Sequence, residues 1–462
     1  MKTEIDFDAH APTERHEAAL ACLRAGVEAA HPERVLESAV RIEHEADGSD
    51  DESDGGGDRL RVGDSTYDLT GVDRVLVVGG GKAAAGVAEA LERVLGDRID
   101  AGAVVTYDTG VGERVEHLPG DHPVPSEEGV ESTRRVVDLL SQADDRTLVL
   151  AVITGGASAL LPAPAEGISL ADLQRTTELL LDSGADIGEI NAVRKHLSTL
   201  KGGGLARLAA PARVVSLVFS DVVGNDLGVI ASGPTVPDET TYDDALAVLD
   251  RYDLSVPDPV RERLERGKAG EIDETPKPGD PIFDRVDDHV LADGFTALDA
   301  ARAEAEDRGY EPCILSSRVR GEAREAAKSH VAIGEEAVAT GNPVEPPAVV
   351  LSGGETTVTV RGDGVGGPNL EYALAAAVEL GSTGTNAVLA SVDTDGKDGG
   401  TEVAGAVVDG TTLGDRESRE AARDALARND ALPLLDEHDC VVRTGATGTN
   451  VNDLRVLVVG RA

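Results

Sequence analysis

Tryptophan is absent from this chain of 462 residues, and only four Phe, six Tyr and one Met occur in it. Its cores must therefore be built from Val, Leu, Ile and Ala. The three cysteines, Cys22, Cys313 and Cys440, stand far apart. That spacing excludes a disulfide framework and a cysteine metal site. No apolar run approaches the ~18 residues that would suggest a membrane span. The start, MKTEIDFDAHAPTERHE, lacks the basic residues and apolar segment of an export signal, so a soluble, cytoplasmic protein is expected. Positive charge is scarce: 43 Lys and Arg face 86 Asp and Glu, for a net charge of −43. That balance argues against nucleic acids and anionic membranes as partners, since both need basic faces. The acids are spread along the chain instead of forming a tail. Only eight of the bases are Lys. Such a chain suits concentrated salt, where the Debye length falls to about 3 Å at 1 M and self-repulsion is screened. A fixed-period repeat is missing too, and so is the spacing of a Walker A loop.

What is present is a recurring junction. Five apolar, β-branched runs open directly into Gly-rich loops: Val75–Lys82, Leu148–Ser158, Val214–Asp226, Val349–Thr357 and Val388–Gly400. Runs of this kind fit parallel strands buried on both faces. Ligands of open parallel sheets bind beyond the carboxyl ends of the strands, where glycine admits close approach and a following helix favours an anion. A multiply charged small molecule is the expected ligand.

Strand and helix patterns alternate through the chain, which argues for layered α/β architecture. A helix is expected over 12–30, followed by an acidic low-complexity insert over 43–58 and a hairpin near 59–69. Strands follow at 74–79, 102–106, 147–153 and 213–219, with helices at 83–95, 126–142, 169–183, 186–199, 240–252 and 257–266. Residues 267–281 are polar, hold three Pro and read as a linker. Beyond it, strands are expected at 288–292, 312–316, 347–352, 355–361, 386–392, 439–443 and 454–459. Helices intervene at 294–308, 320–340, 369–380 and between 411 and 432. A tight turn joining 347–352 to 355–361 would make the second sheet mixed. The expected domains are 1–280 and 281–462.

Several loops carry candidate chemistry. Lys82 stands where a strand turns into a helix, behind Gly79, Gly80 and Gly81, in a loose G-x-G-x-x-A pattern completed by Ala84. A helix dipole disfavours a lysine there unless an anion is present. Residues 190–204 gather Arg194, Lys195 and Lys201 in a chain that otherwise avoids lysine. Asp221 and Asp226 follow the strand 213–219, and Asp393, Asp395 and Asp398 follow 386–392. One or two carboxylates at a strand end suit Mg²⁺, although an Asx turn or N-cap explains a lone Asp equally well. Glu355 follows two glycines and is either buried or catalytic. The loop Thr444–Asp453 offers hydroxyls and amides, including Thr447, Asn450 and Asn452, to phosphates or adenine.

At these residues the chain resembles the glycerate 2-kinase family with a C-terminal MOFRL domain, from about Ala18 to Val459. The segments INAVRKHLSTLKGGGLA (190–206), FSDVVGNDLGVIASGPTVPD (219–238), LSGGETTV (351–358), DTDGKDGGTEVAGA (393–406) and TGTNVNDL (447–454) carry the likeness. The resemblance implies ATP- and Mg²⁺-dependent phosphorylation of D-glycerate to 2-phosphoglycerate. It implies a Rossmann-like, mostly parallel first domain, a mixed-sheet second domain and an active site in the cleft between them. It places the catalytic roles on Lys82 and Asp221. Around them we assign Ser158, Arg194 and Lys195 to substrate, Gly80, Gly81, Thr447, Asn450 and Asn452 to nucleotide, and Asp226 and Asp395 to the metal. A homo-oligomer is compatible with the sequence.

The family's Arg in a G-G-R-N-Q-E stretch is replaced by Pro368 here, so either another group such as Arg320 or Arg361 supplies its charge or the site is altered. Thr154, Ala157 and Ala446 are smaller departures. The alternative is an NAD(P)-dependent hydroxypyruvate reductase, whose ribose carboxylate would have to be Asp97, Asp100 or Asp108. A non-catalytic sugar-acid-binding protein is the third reading.

Overall fold

The structure, a computed structural model, describes residues 5–44, 57–107, 109–110 and 112–461. Most of the acidic insert, and Asp108, lie outside the described residues. Contacts divide the chain into two compact units, one formed by Val35–Leu291 and the other by Met1–Arg34 with Ala292–Ala462.

The Val35–Leu291 unit opens with an antiparallel ribbon of β1 (Val40–His44), β2 (Asp58–Val62) and β3 (Ser65–Asp68). Its main sheet holds β4 (Arg74–Gly80), β5 (Ala101–Thr106), β6 (Val115–Pro119), β7 (Thr147–Thr154), β8 (Arg213–Phe219) and β9 (Val286–Ala292). Their order is β6-β5-β4-β7-β8-β9. Pairing is parallel from β6 through β8. Sequence order reverses between β4 and β7, the switch point at which such sheets bind ligands. Every residue of β7 is buried, as a strand covered on both faces requires.

The other unit holds a six-stranded sheet of β10 (Glu311–Val319), β11 (Ala348–Gly354), β12 (Ala387–Asp393), β13 (Gly405–Asp409), β14 (Val441–Val442) and β15 (Asp453–Val459). It runs β10-β11-β15-β12-β13-β14, with only β10 and β11 parallel. The sheet is mixed as expected, but for a different reason. Residues 355–361 form no strand, because β10 and β15 already occupy both edges of β11. That segment instead leans on the 428–430 turn, with the Arg361 N–H donating to Asn429 Oδ1 at 2.7 Å.

The division also departs from a boundary at 280. Residues 267–281 are sewn into the Val35–Leu291 unit: Thr275 Oγ1 donates to buried Asp238 at 2.9 Å, and the Asp238 N–H donates to Pro276 O at 2.9 Å. The helix Glu14–Ala29 joins the far end of the chain. It buries Leu20, Leu23 and Val27, and a Cβ at Gly26 would stand 2.8 Å from Ala297 O. Thr449 Oγ1 donates to Ala30 O at 2.7 Å beside it.

Candidate functional site

The loop after β4 is shaped by its neighbour β7. Gly79 has φ 142° and Gly81 φ 132°, and a Cβ at either would overlap Val152 O or Thr154 Oγ1 respectively. A Cβ at Gly80 would press on Val105 O and Leu161. The N–H groups here are committed to the protein. Gly81 donates to Val105 O (3.0 Å), Lys82 to Gly155 O (2.8 Å) and Ala83 to Thr154 Oγ1 (3.1 Å). The glycines thus permit strand packing, and the phosphate cradle expected of Gly80 and Gly81 is not presented by these donors.

Lys82 leaves this loop half-buried and runs beside Gly156. A Cβ built on Gly156, whose φ is 82°, would lie 3.1 Å from both Lys82 Cγ and His122 Cδ2. Three segments remote in sequence therefore meet at one glycine. His122 and Gly156 border a cavity of about 780 Å³, which is also lined by the helix Leu170–Asp182 and by Ser158, Arg194, Ser198 and Lys201.

One wall of that cavity is cationic. Arg194 and Lys195 are consecutive on the helix Ile187–His196 and so point about 100° apart. Arg194 faces the cavity. Lys195 turns away into a buried pair with Asp238, Nζ to Oδ1 3.1 Å, and does not line the cavity. Lys201 does line it. It is buried, its Nζ donates to Ser158 O at 2.8 Å, and burial followed by the charge of Arg194 pushes its ammonium down to about 7. Burial likewise lowers the guanidinium of Arg194. Among the described residues, neither cation has a carboxylate within ion-pair distance.

Ser158 is held by a short relay. Its hydroxyl meets Ser232 Oγ at 2.9 Å, and Ser232 donates on to Asn191 Oδ1 at 2.9 Å. Ala231 (φ 52°) and Ser232 (φ 62°) are left-handed without being glycine. Conformations of that kind cost of order 1–3 kcal/mol each and persist where the surroundings enforce them.

The carboxylates are less gathered. Asp226 closes an Asx turn, its Oδ1 accepting from the Gly228 N–H at 2.9 Å. Asp221 stands half-buried just after β8. In the other unit, Asp395 Oδ1 accepts from the Lys397 N–H at 2.9 Å. Asp398 is fully buried and caps the helix Pro368–Thr383, accepting from the N–H groups of Asn369 (2.9 Å) and Leu370 (2.8 Å); burial raises its carboxyl to about 7. Among the described residues, no group of three or more His, Cys, Asp or Glu is placed to hold a metal ion. Mg²⁺ held by one or two carboxylates together with phosphate oxygens needs no such group.

Thr447 and Asn450 both make hydrogen bonds to the backbone of nearby segments. Thr447 Oγ1 donates to Thr394 O at 2.6 Å, and Asn450 Oδ1 accepts from the Asn452 N–H at 3.2 Å. Asn452, at φ 75°, accepts the Asp453 N–H on its Oδ1 at 3.0 Å. Pro368 occupies the first turn of its helix, where a missing N–H is harmless. Glu371, buried behind it, pairs with Arg324 at 3.1 Å. His122 is not singled out by the sequence, and Lys201 is gathered there with Arg194 and Lys195 without a role of its own. The rarity of lysine was the signal for Lys201; nothing local marked His122 beyond the prolines that follow it.

A family model described as a domain of unknown function, DUF4147, matches residues 18–265, and the MOFRL family model matches residues 348–453. The chain is 39% identical over 440 residues to the glycerate 2-kinase of Pyrococcus horikoshii, covering 94% of each. A crystal structure of glycerate kinase from Thermotoga maritima superposes with a TM-score of 0.81 at 36% identity, covering 96% of this chain and 99% of that one. An Agrobacterium vitis relative, provisionally named a hydroxypyruvate reductase, is 43% identical and covers 84% of this chain and 100% of its own.

Proposed function

The chain belongs to the glycerate 2-kinase family with a C-terminal MOFRL domain, and from that premise we propose that the cavity beside Gly156 is where D-glycerate is held for phosphorylation by ATP. The observation that carries this is the pair Arg194 and Lys201, two cations without carboxylate partners among the described residues, in a chain of net charge −43. Leaving both unneutralised inside a protein is costly unless an anion completes the site. The carboxylate of D-glycerate would lie against them, with the Ser158 hydroxyl, oriented by Ser232, on its flank.

Phosphoryl transfer asks chiefly for positioning and for positive charge around the moving group. Lys82 would oppose the charge that develops on the γ-phosphoryl oxygens, and Gly156 admits its side chain to the cavity edge. Asp221 would accept the proton of the 2-hydroxyl or, with Asp226, hold Mg²⁺; Asp395 is a further candidate for the metal. Bound Mg²⁺ would neutralise phosphate charge. We place the protein in a salt-rich cytoplasm on the strength of its charge.

The reductase reading finds less support. The N–H groups of Gly81, Lys82 and Ala83 donate to protein acceptors, whereas a dinucleotide fold offers donors there to the pyrophosphate.

Two variants test the assignment in one kinetic experiment. Arg194→Ala should raise KM for D-glycerate by about 10- to 100-fold, the worth of a charge-assisted hydrogen bond. Lys82→Ala should instead lower kcat by about 10²–10³. Unchanged constants in both, with product identified by phosphorus NMR, would remove this cavity from the reaction.

A further inference from the structure

D-Glycerate, a three-carbon acid, cannot fill a cavity of about 780 Å³, a volume in the range of about 300–1,000 Å³ that encloses drug-sized molecules. Part of the lining is apolar, at Val124, Ala171, Leu173 and Leu181, and we treat these as one lobe. Val124 is 59% exposed and Leu181 61% exposed although both face the same hollow. A small polyhydroxy acid has no surface with which to cover them. The lobe is also braced: Gln174 Nε2 donates to Pro125 O at 2.6 Å, tying the helix Leu170–Asp182 to the 122–125 segment. That bond uses the amide nitrogen of Gln174 and leaves its oxygen as an acceptor at the cavity wall. Glu178, also on the wall, pairs with Arg175 at 2.6 Å.

We infer that this lobe receives the nucleoside of the phosphoryl donor, an aminopurine whose flat face packs on Leu173, Leu181 and Val124 and whose exocyclic amine meets the Gln174 oxygen. The inference rests on the reading of the cationic wall given above. Both reactants then occupy one cavity, and the triphosphate runs from the apolar lobe past His122 toward Gly156 and Lys82. In the loop holding Thr447 and Asn450, the Thr447 hydroxyl donates to Thr394 O and the Asn450 oxygen accepts the Asn452 N–H.

The chain lacks tryptophan, so Leu181→Trp installs a single fluorescent reporter at an exposed position. Adenosine and ATP should each change its emission saturably, while tripolyphosphate and D-glycerate should leave it unaltered. In parallel, Ala171→Trp fills the lobe and should raise KM for ATP by about tenfold or more, the worth of one buried apolar contact, with KM for D-glycerate moving less than about twofold. A reporter silent to ATP in a protein that still turns over would overturn the inference, as would a response to D-glycerate alone. Failure of the kinase reading is distinct: unsubstituted protein would then consume no ATP with D-glycerate, and the adenosine titration alone would decide the nucleoside site.

Discussion

Lys201 is the residue whose environment is most informative. Its ammonium is pushed down to about 7 by burial and by Arg194, against an ordinary value near 10.4. Above pH ~7 the free protein would lose this cation, and KM for D-glycerate should climb with pH as the carboxylate loses a partner. Lys201→Arg, which stays charged, should flatten that rise; a pH profile of KM across pH 6 to about 9 checks it. The sign for stability is opposite. The folded value lies below the unfolded one, so between about 7 and 10.4 the unfolded chain binds the extra proton and this group's contribution to stability grows with pH. Sequence alone pointed to the cluster but not to its members. Arg194 and Lys195 are adjacent, and only the helix phase, set by what packs around it, decides that one meets the cavity and the other meets Asp238.

Among elements, the β4 junction was the easiest to read and the easiest to over-read. Strands β4, β7, β8 and β15 fall within a residue of where their β-branched runs end, because a strand buried on both faces leaves an uninterrupted apolar trace. The glycines that follow β4 have a packing cause that no single sequence reveals: the backbone and hydroxyl of β7 lie where side chains would go. Gly79→Ala should therefore destabilise the protein by about 3 kcal/mol or more, through both φ and overlap, as measured by urea unfolding. A loss below about 0.5 kcal/mol would show that the strands can part to admit a methyl group. Short partners were illegible. Residues 355–361 look like a strand by composition, yet β11 had no open edge to receive them, and edge availability is a property of the assembled sheet.

For the whole molecule, charge and topology dominate. A net charge of −43 should repel strongly at low ionic strength, so the melting temperature should rise steeply from about 0.1 M to 2 M potassium chloride as screening tightens. A melting temperature insensitive to salt would remove the salt-rich setting we propose. Among the described residues no helix is long and apolar enough to cross a membrane. The makeup of the units was not legible in the sequence, since residues 1–34 group with Ala292–Ala462. Composition marked 267–281 as a tether, while Thr275 and Pro276 are fastened to Asp238.

The helix Glu14–Ala29 has a consequence for how the chain is made. Its apolar stripe of Leu20, Leu23 and Val27 leaves the ribosome long before the residues that shelter it, among them Ala297 and Leu454, which are hundreds of codons away. Throughout translation of Val35–Leu291 that stripe stays without its native cover, in a growing chain whose surrounding acidity is its main defence against sticking to others. The cover for that stripe is complete only once the strand Asp453–Val459 has been made.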